Sequence, residues 1–246
     1  RLSHSDGASA MLPLSDGLPA RRFPVVNVAL IAANLAVWIF YELPDLDEAV
    51  AQASFYPCDV DNTCQAPLPW ALSWLTAMFM HASWDHLLGN MLVLAIFGKN
   101  VEDAFGRLRY LAFYLAGGFA ATALQTAMTL LFGPDADARI PMLGASGAIS
   151  AVLGAFLALY PHARIKTLVL VFVVQIPAWA YLGGWFLYQL REAHNALFAA
   201  SAEESGVAFF AHVGGFVFGW LLARALCRAG RIHPQSVPHR SAPMPL

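Results

Sequence analysis

Three apolar runs, 25–41, 165–190 and 207–226, each approach or exceed the roughly 20 residues a helix needs to cross a hydrocarbon core. With 59% of the 246 residues hydrophobic and only 12% charged, the chain has too little polar surface for a water-soluble domain. None of the runs reads as a cleaved signal peptide, because the first is followed by several more. Proline, glycine and charge clusters bound six predicted helices, at 24–41, 83–101, 109–132, 146–160, 165–191 and 207–228. The expected fold is an all-α membrane protein, a six-transmembrane-helix bundle over residues 23–228. It is flanked by segments 1–22 and 229–246, which are rich in Pro, Ser, His and Gly and are expected to be disordered.

Charge gives the bundle a direction. With the N-terminus placed in the cytoplasm, all of the 14 Lys and Arg residues except Arg139 and Arg191 fall on the cytoplasmic side. Both termini are therefore expected in the cytoplasm, and the location expected for this multi-pass chain is a bacterial inner (plasma) membrane. In this orientation the fourth and sixth spans both run inward, so Ser146 lies at the outer end of one and His212 about five residues, or roughly 7 to 8 Å, into the other. Cys58 and Cys64 share the first outer loop, where a bridge would be permitted. Cys227 reads as a small hydrophobe. No internal repeat, P-loop, dinucleotide fingerprint or basic nucleic-acid stripe is found, so nucleic acid is not among the expected partners.

Ser146 stands within Gly144-Ala145-Ser146-Gly147, and His212 within Ala211-His212-Val213-Gly214-Gly215. A lone serine in a membrane helix usually bonds its own backbone or helps helices pack, but glycines beside it bare a helix N-terminus whose N–H groups can face a developing oxyanion. Desolvation favours a neutral imidazole, the form that accepts a serine proton. Small residues on both spans, Gly147, Ala151 and Gly154 or Ala155 on one and Gly215 with Gly219 on the other, allow the two helices to approach closely. A pure packing motif would show the same stripe without the histidine.

The segment from His81 to Asn90 contributes the third part. His86 and Asn90 are four residues apart on one helix face, so both can donate to a common oxygen. His81 precedes the helix and reads as a loop anchor. Asp85 points to another face and is not recruited. Almost every other Asp and Glu lies in a loop, so the predicted machinery is a Ser-His dyad rather than a triad.

With HxxxxHxxxN, GASG and AHxxG in that order on separate spans, the chain resembles the rhomboid intramembrane serine proteases from about Val25 to Arg228. The resemblance implies that Ser146 is the nucleophile, His212 the general base, His86 and Asn90 the oxyanion donors, and Gly144 part of the substrate-facing approach. It also implies cleavage of single-pass transmembrane proteins near small residues, in a water-filled cavity open to the outside, with membrane lipid as surroundings and no metal or cofactor. Two positions depart from the family pattern. Ser73 stands where some members carry an Arg in the first outer loop, and Ser150 where some carry a Tyr that packs on the catalytic imidazole. Phe216 or Phe156 is the expected substitute for that ring. The fifth span, interrupted by Pro177 and Gly183-Gly184, is the candidate gate for substrate.

Two other classes compete. A non-proteolytic binder of transmembrane segments would not need both Ser146 and His212. A metal or ion transporter using His81, His86 and His212 is disfavoured, because His81 and His86 are five apart and face away from each other on a helix.

Overall fold

In the computed structural model, which describes residues 11–198 and 208–236, the apolar runs fold largely as helices whose backbone groups pair within each segment. Helix α1 (Val25–Val37) continues through a π-helical turn to Glu42. The long connection after it holds the short helices α2 (Leu46–Ala53) and α3 (Trp70–Ala77). Next, α4 (Trp84–Val93), a π-helical stretch (Leu94–Gly98) and α5 (Lys99–Phe105) follow one another without a break. Four more helices follow among the described residues: α6 (Arg107–Phe132), α7 (Ser146–Leu159), α8 (Ala178–Phe198) and α9 (Phe209–Arg228). Among the described residues three segments, Val25–Glu42, Arg107–Phe132 and Phe209–Arg228, are long and apolar enough to cross a membrane, and α7 is a shorter apolar helix.

The core forms around α7, where every residue from Gly147 to Phe156 is buried. Its small residues let neighbouring backbones come very close. A Cβ on Gly215 would overlap the carbonyl oxygen of Gly147, and one on Gly219 would overlap that of Ala151. Such contact is open only to glycine, and it draws α7 and α9 together as the small-residue stripes predict.

Glu102, fully inside the bundle, holds α1 in place. Its carboxylate accepts from the N–H groups of Val26 at 3.1 Å and Asn27 at 2.7 Å, two of the donors a helix start leaves unpaired. Asn27 in turn donates to the Leu94 carbonyl and accepts from the Tyr110 hydroxyl. Glu102→Ala would strand those donors in a dry interior and is expected to destabilise the fold by about 2–3 kcal/mol. A denaturation midpoint equal to that of the unaltered protein would show that the helix start does not depend on the carboxylate.

Two expectations are corrected at the end of the bundle opposite Ser146. The fifth helix does not begin at 165: β2 (Arg164–Val169) and β3 (Phe172–Pro177) form an antiparallel hairpin, and α8 starts only after Pro177. The segment is rich in β-branched residues, and Arg164 and Lys166 are exposed while Ile165 and Thr167 are buried, which is the period of a strand. Pro177 therefore closes a strand instead of interrupting a helix.

The second correction concerns the flanks. Residues Leu12–Ser15 form β1, paired with β2 so that the sheet order is β1-β2-β3. Asp16 is completely buried, takes the Lys99 ammonium at 2.9 Å and also accepts from Asn100. From the C-terminal flank, Ile232 is buried and Gln235 donates to the Asn100 side chain at 2.8 Å. The two flanks meet on Asn100, and a composition broken by Pro and Gly, without apolar periodicity, hid that contact. The expectations for residues 1–10 and 237–246, and for the start of the sixth span at Val207, lie outside the described residues.

Candidate active site

The first connection frames one side of the site. Cys58 and Cys64 are joined by a disulfide, and Phe55 pairs with Met142 through two backbone hydrogen bonds. Ser73, one of the two positions that depart from the expected pattern, donates to the Trp70 carbonyl within its own helix. Trp74 anchors the loop instead, its ring lying 5.5 Å from Phe55 and 5.7 Å from Phe119 of α6.

Ser146 is the first residue of α7, directly after Ala145 at the cap, and is half-buried. The N–H of Gly144 donates to the Ala77 carbonyl at 2.8 Å, which ties the approach to the end of α3. Gly144 has φ +127°, a conformation that favours glycine, and space forbids a side chain as well. A Cβ there would sit 2.9 Å from His86 Cε1, 3.0 Å from His86 Nε2 and 3.6 Å from Ser146 Oγ. His86 and Ser146 therefore flank one small space whose floor is Gly144.

His86 Nδ1 accepts from the Ala82 N–H at 3.4 Å, which leaves Nε2 as the protonated nitrogen facing that space. Its helix is capped by Ser83, which accepts from the His86 N–H. Asn90, one turn on, is buried, and its Nδ2 has no hydrogen-bond partner among the described residues. An amide donor left over in a buried position fits a ligand that arrives only during reaction. His81 is fully buried, its ring 5.1 Å from that of His86 and its N–H donated to Glu42 at 2.5 Å. It supports His86 from behind. Glu42, assigned to a loop from sequence, is a buried carboxylate at the end of the first helical segment, while Asp85 is exposed.

His212, half-buried on α9, places Nε2 2.9 Å from Ser146 Oγ. Gln125 of α6 accepts from the Ala211 N–H and so satisfies one of the free donors at the start of α9. The other ring nitrogen, Nδ1, lies 2.9 Å from Oε1 of Gln189 on α8. Trp185, one turn before Gln189, lies 6.0 Å from the imidazole. This corrects the expected aromatic support: Phe216 stacks on Phe186 at 4.6 Å and Phe156 packs against Phe97 and Tyr160, whereas the ring beside His212 is Trp185. Ser150 donates to the Ser146 carbonyl at 2.7 Å.

Sequence reasoning missed Gln189 and Trp185. Their i, i+4 spacing was visible, but the segment was read only as an interrupted fifth span and candidate gate, and only the packing of α8 on α9 gives those positions a target. Among the described residues no three His, Cys, Asp or Glu side chains gather in a way that would hold a metal ion.

Residues 70–229 match the family model of the rhomboid domain. The chain is 28% identical to Rhomboid protein 1, mitochondrial, of Saccharomyces cerevisiae over 80% of its own length and 53% of that protein's. It is 29% identical to the human Presenilin-associated rhomboid-like protein, mitochondrial, and 32% identical to Presenilin-associated rhomboid-like protein A, mitochondrial, of Danio rerio. Each of those two alignments takes in 77% of this chain and 45% of the relative. The chain thus spans about half the length of the curated relatives it matches. Because the matched domain takes in well over half of its residues, the chain belongs to the rhomboid family.

Proposed function

We propose that this chain is an intramembrane serine endopeptidase that cleaves single-pass transmembrane proteins within or near their membrane segment. The observation that carries the reading is the 2.9 Å approach of Ser146 Oγ to His212 Nε2 beside the space flanked by His86. In the proposed reaction His212 Nε2 takes the proton from Ser146 as Oγ adds to the scissile carbonyl. The oxyanion is held by His86 Nε2–H, Asn90 Nδ2–H and the free N–H groups at the start of α7. His212 then returns the proton to the leaving amine, and a water molecule activated by the same nitrogen releases the acyl group. No metal or cofactor has a step in this scheme.

The proposal takes α1 with its π turn, the α4–α5 segment, α6, α7, α8 and α9 as six spans of one protease domain, residues 23–228, with both termini on the cytoplasmic or matrix-equivalent side. The relatives named above are mitochondrial, so the bacterial inner membrane expected from sequence finds no support among them. Their names point to a mitochondrial membrane instead.

The test is cleavage of a single-pass substrate by the full chain reconstituted in lipid. Cuts are expected within or beside the membrane segment, and His86→Ala and Asn90→Ala should each lower kcat by about 10²- to 10³-fold, the usual loss of one oxyanion donor. Full activity in both variants would remove the proposed oxyanion hole, and no cut by the unaltered protein would remove the protease reading.

A further inference from the structure

His212 is held between two partners, and the chemistry of the second determines what the first can do. Oε1 of Gln189 faces Nδ1 at 2.9 Å, and an amide oxygen can only accept a hydrogen bond. Nδ1 must then carry the proton, which leaves the lone pair on Nε2, the nitrogen 2.9 Å from Ser146 Oγ. The opposite tautomer, with Nε2–H, could not take the serine proton. Gln189 is only 5% exposed, so water does not readily replace it as the acceptor.

We propose that Gln189 is the positioning residue of the general base, so that Ser146, His212 and Gln189 form one hydrogen-bonded relay drawn from α7, α9 and α8. The proposal rests on the protease reading above and adds the element that controls the base. Both supports of the imidazole come from a single helix, Gln189 by its hydrogen bond and Trp185 by its ring. That helix is tied firmly at its start, where the N–H groups of Ala178 and Trp179 donate to the carbonyls of Ala163 and Pro161 and where Ala178 and Leu182 are buried. Further along, Leu187 and Tyr188 are exposed. An outward swing of α8 about its tied end would withdraw Gln189 and Trp185 together and free the imidazole to change tautomer. The relay is therefore complete only while α8 is packed on α9, which makes that packing a condition for turnover.

Three measurements on the full chain in lipid test this. In protein carrying 15N-histidine, with the His212 signals assigned by their loss in His212→Ala, the ring should show a protonated Nδ1 and an unprotonated Nε2. Gln189→Leu, close in size but without an acceptor, should redistribute those signals. It should also lower kcat by about 100-fold with KM nearly unchanged, between the usual cost of losing a residue that orients a histidine and the larger cost of enforcing the wrong tautomer. Labelling of Ser146 by a small fluorophosphonate, which needs no substrate helix to pass α8, should slow in parallel. Gln189→Glu keeps an accepting oxygen and should retain the tautomer and at least a tenth of the activity.

An active, labelled protein whose His212 carries Nε2–H would overturn the proposal while leaving the protease reading in place, as would a folded Gln189→Leu variant with undiminished kcat. A protein that neither cleaves nor labels at Ser146, even with Nδ1–H in place, would overturn the protease reading and the catalytic role of Gln189 with it. The nitrogen measurement on the unaltered protein decides the tautomer even where a variant fails to fold.

Discussion

Ser146→Ala should reduce cleavage of a single-pass substrate by on the order of 10⁴-fold or more, while the protein stays folded and inserted. The effect separates cleanly from stability, because the Oγ is bonded to His212 whereas the serine's structural contact is through its backbone carbonyl, which accepts from Ser150. Removing one half-exposed hydroxyl from the first position of α7 costs the fold about 1 kcal/mol or less. The measurement is cleavage in lipid alongside a thermal unfolding curve. Substrate that co-purifies uncut with the variant would fit the protease reading, since binding survives the loss of the nucleophile. Cutting at the original rate by the folded variant would end that reading. A His212→Ala variant whose cellular function is unchanged would instead favour a binder of transmembrane segments.

Much of the site was legible because its chemistry is local in sequence. Glycines around Ser146, the four-residue spacing of His86 and Asn90, and small-residue stripes near Ser146 and His212 each carry a physical reason that needs no fold. What remained hidden depends on tertiary contact. The hairpin at 164–177 is apolar on nearly every residue toward its tip, so the alternation that marks a strand survives only at Arg164 to Thr167, and a hydropathy window merges it with α8. Segment 11–22 looked unstructured because it is broken by Pro and Gly and shows no apolar periodicity, yet Asp16 finds Lys99 and Asn100 more than 80 residues away. The partner of His212 was missed for the same reason. An amide on an apolar helix gives no sign of its target until the facing helix is placed.

The contact between Ser146 and His212 depends on how closely α7 and α9 approach, and that approach yields the second large effect. Gly219→Ala adds a single methyl where a Cβ would overlap the carbonyl oxygen of Ala151 and lie 2.6 to 2.7 Å from its carbonyl carbon and Cα. Backbone atoms cannot rotate aside as a side-chain end would, so α9 must move off α7. The expected cost is about 1–3 kcal/mol, rising further for Gly219→Leu. The functional loss should exceed the stability loss. Ser146 and His212 sit on these two helices, and a shift of about 1 Å is enough to lengthen a 2.9 Å hydrogen bond beyond useful reach. Gly183→Ala on α8 provides the internal control, because nothing lies within 4 Å of a Cβ there and the same methyl should stabilise the helix by about 0.5–1 kcal/mol. The unfolding midpoints of the two variants should therefore move in opposite directions, with fluorophosphonate labelling slowed only in Gly219→Ala. If Gly219→Ala labelled at Ser146 as fast as Gly183→Ala, the close crossing of α7 and α9 would not be what brings the hydroxyl and the imidazole together.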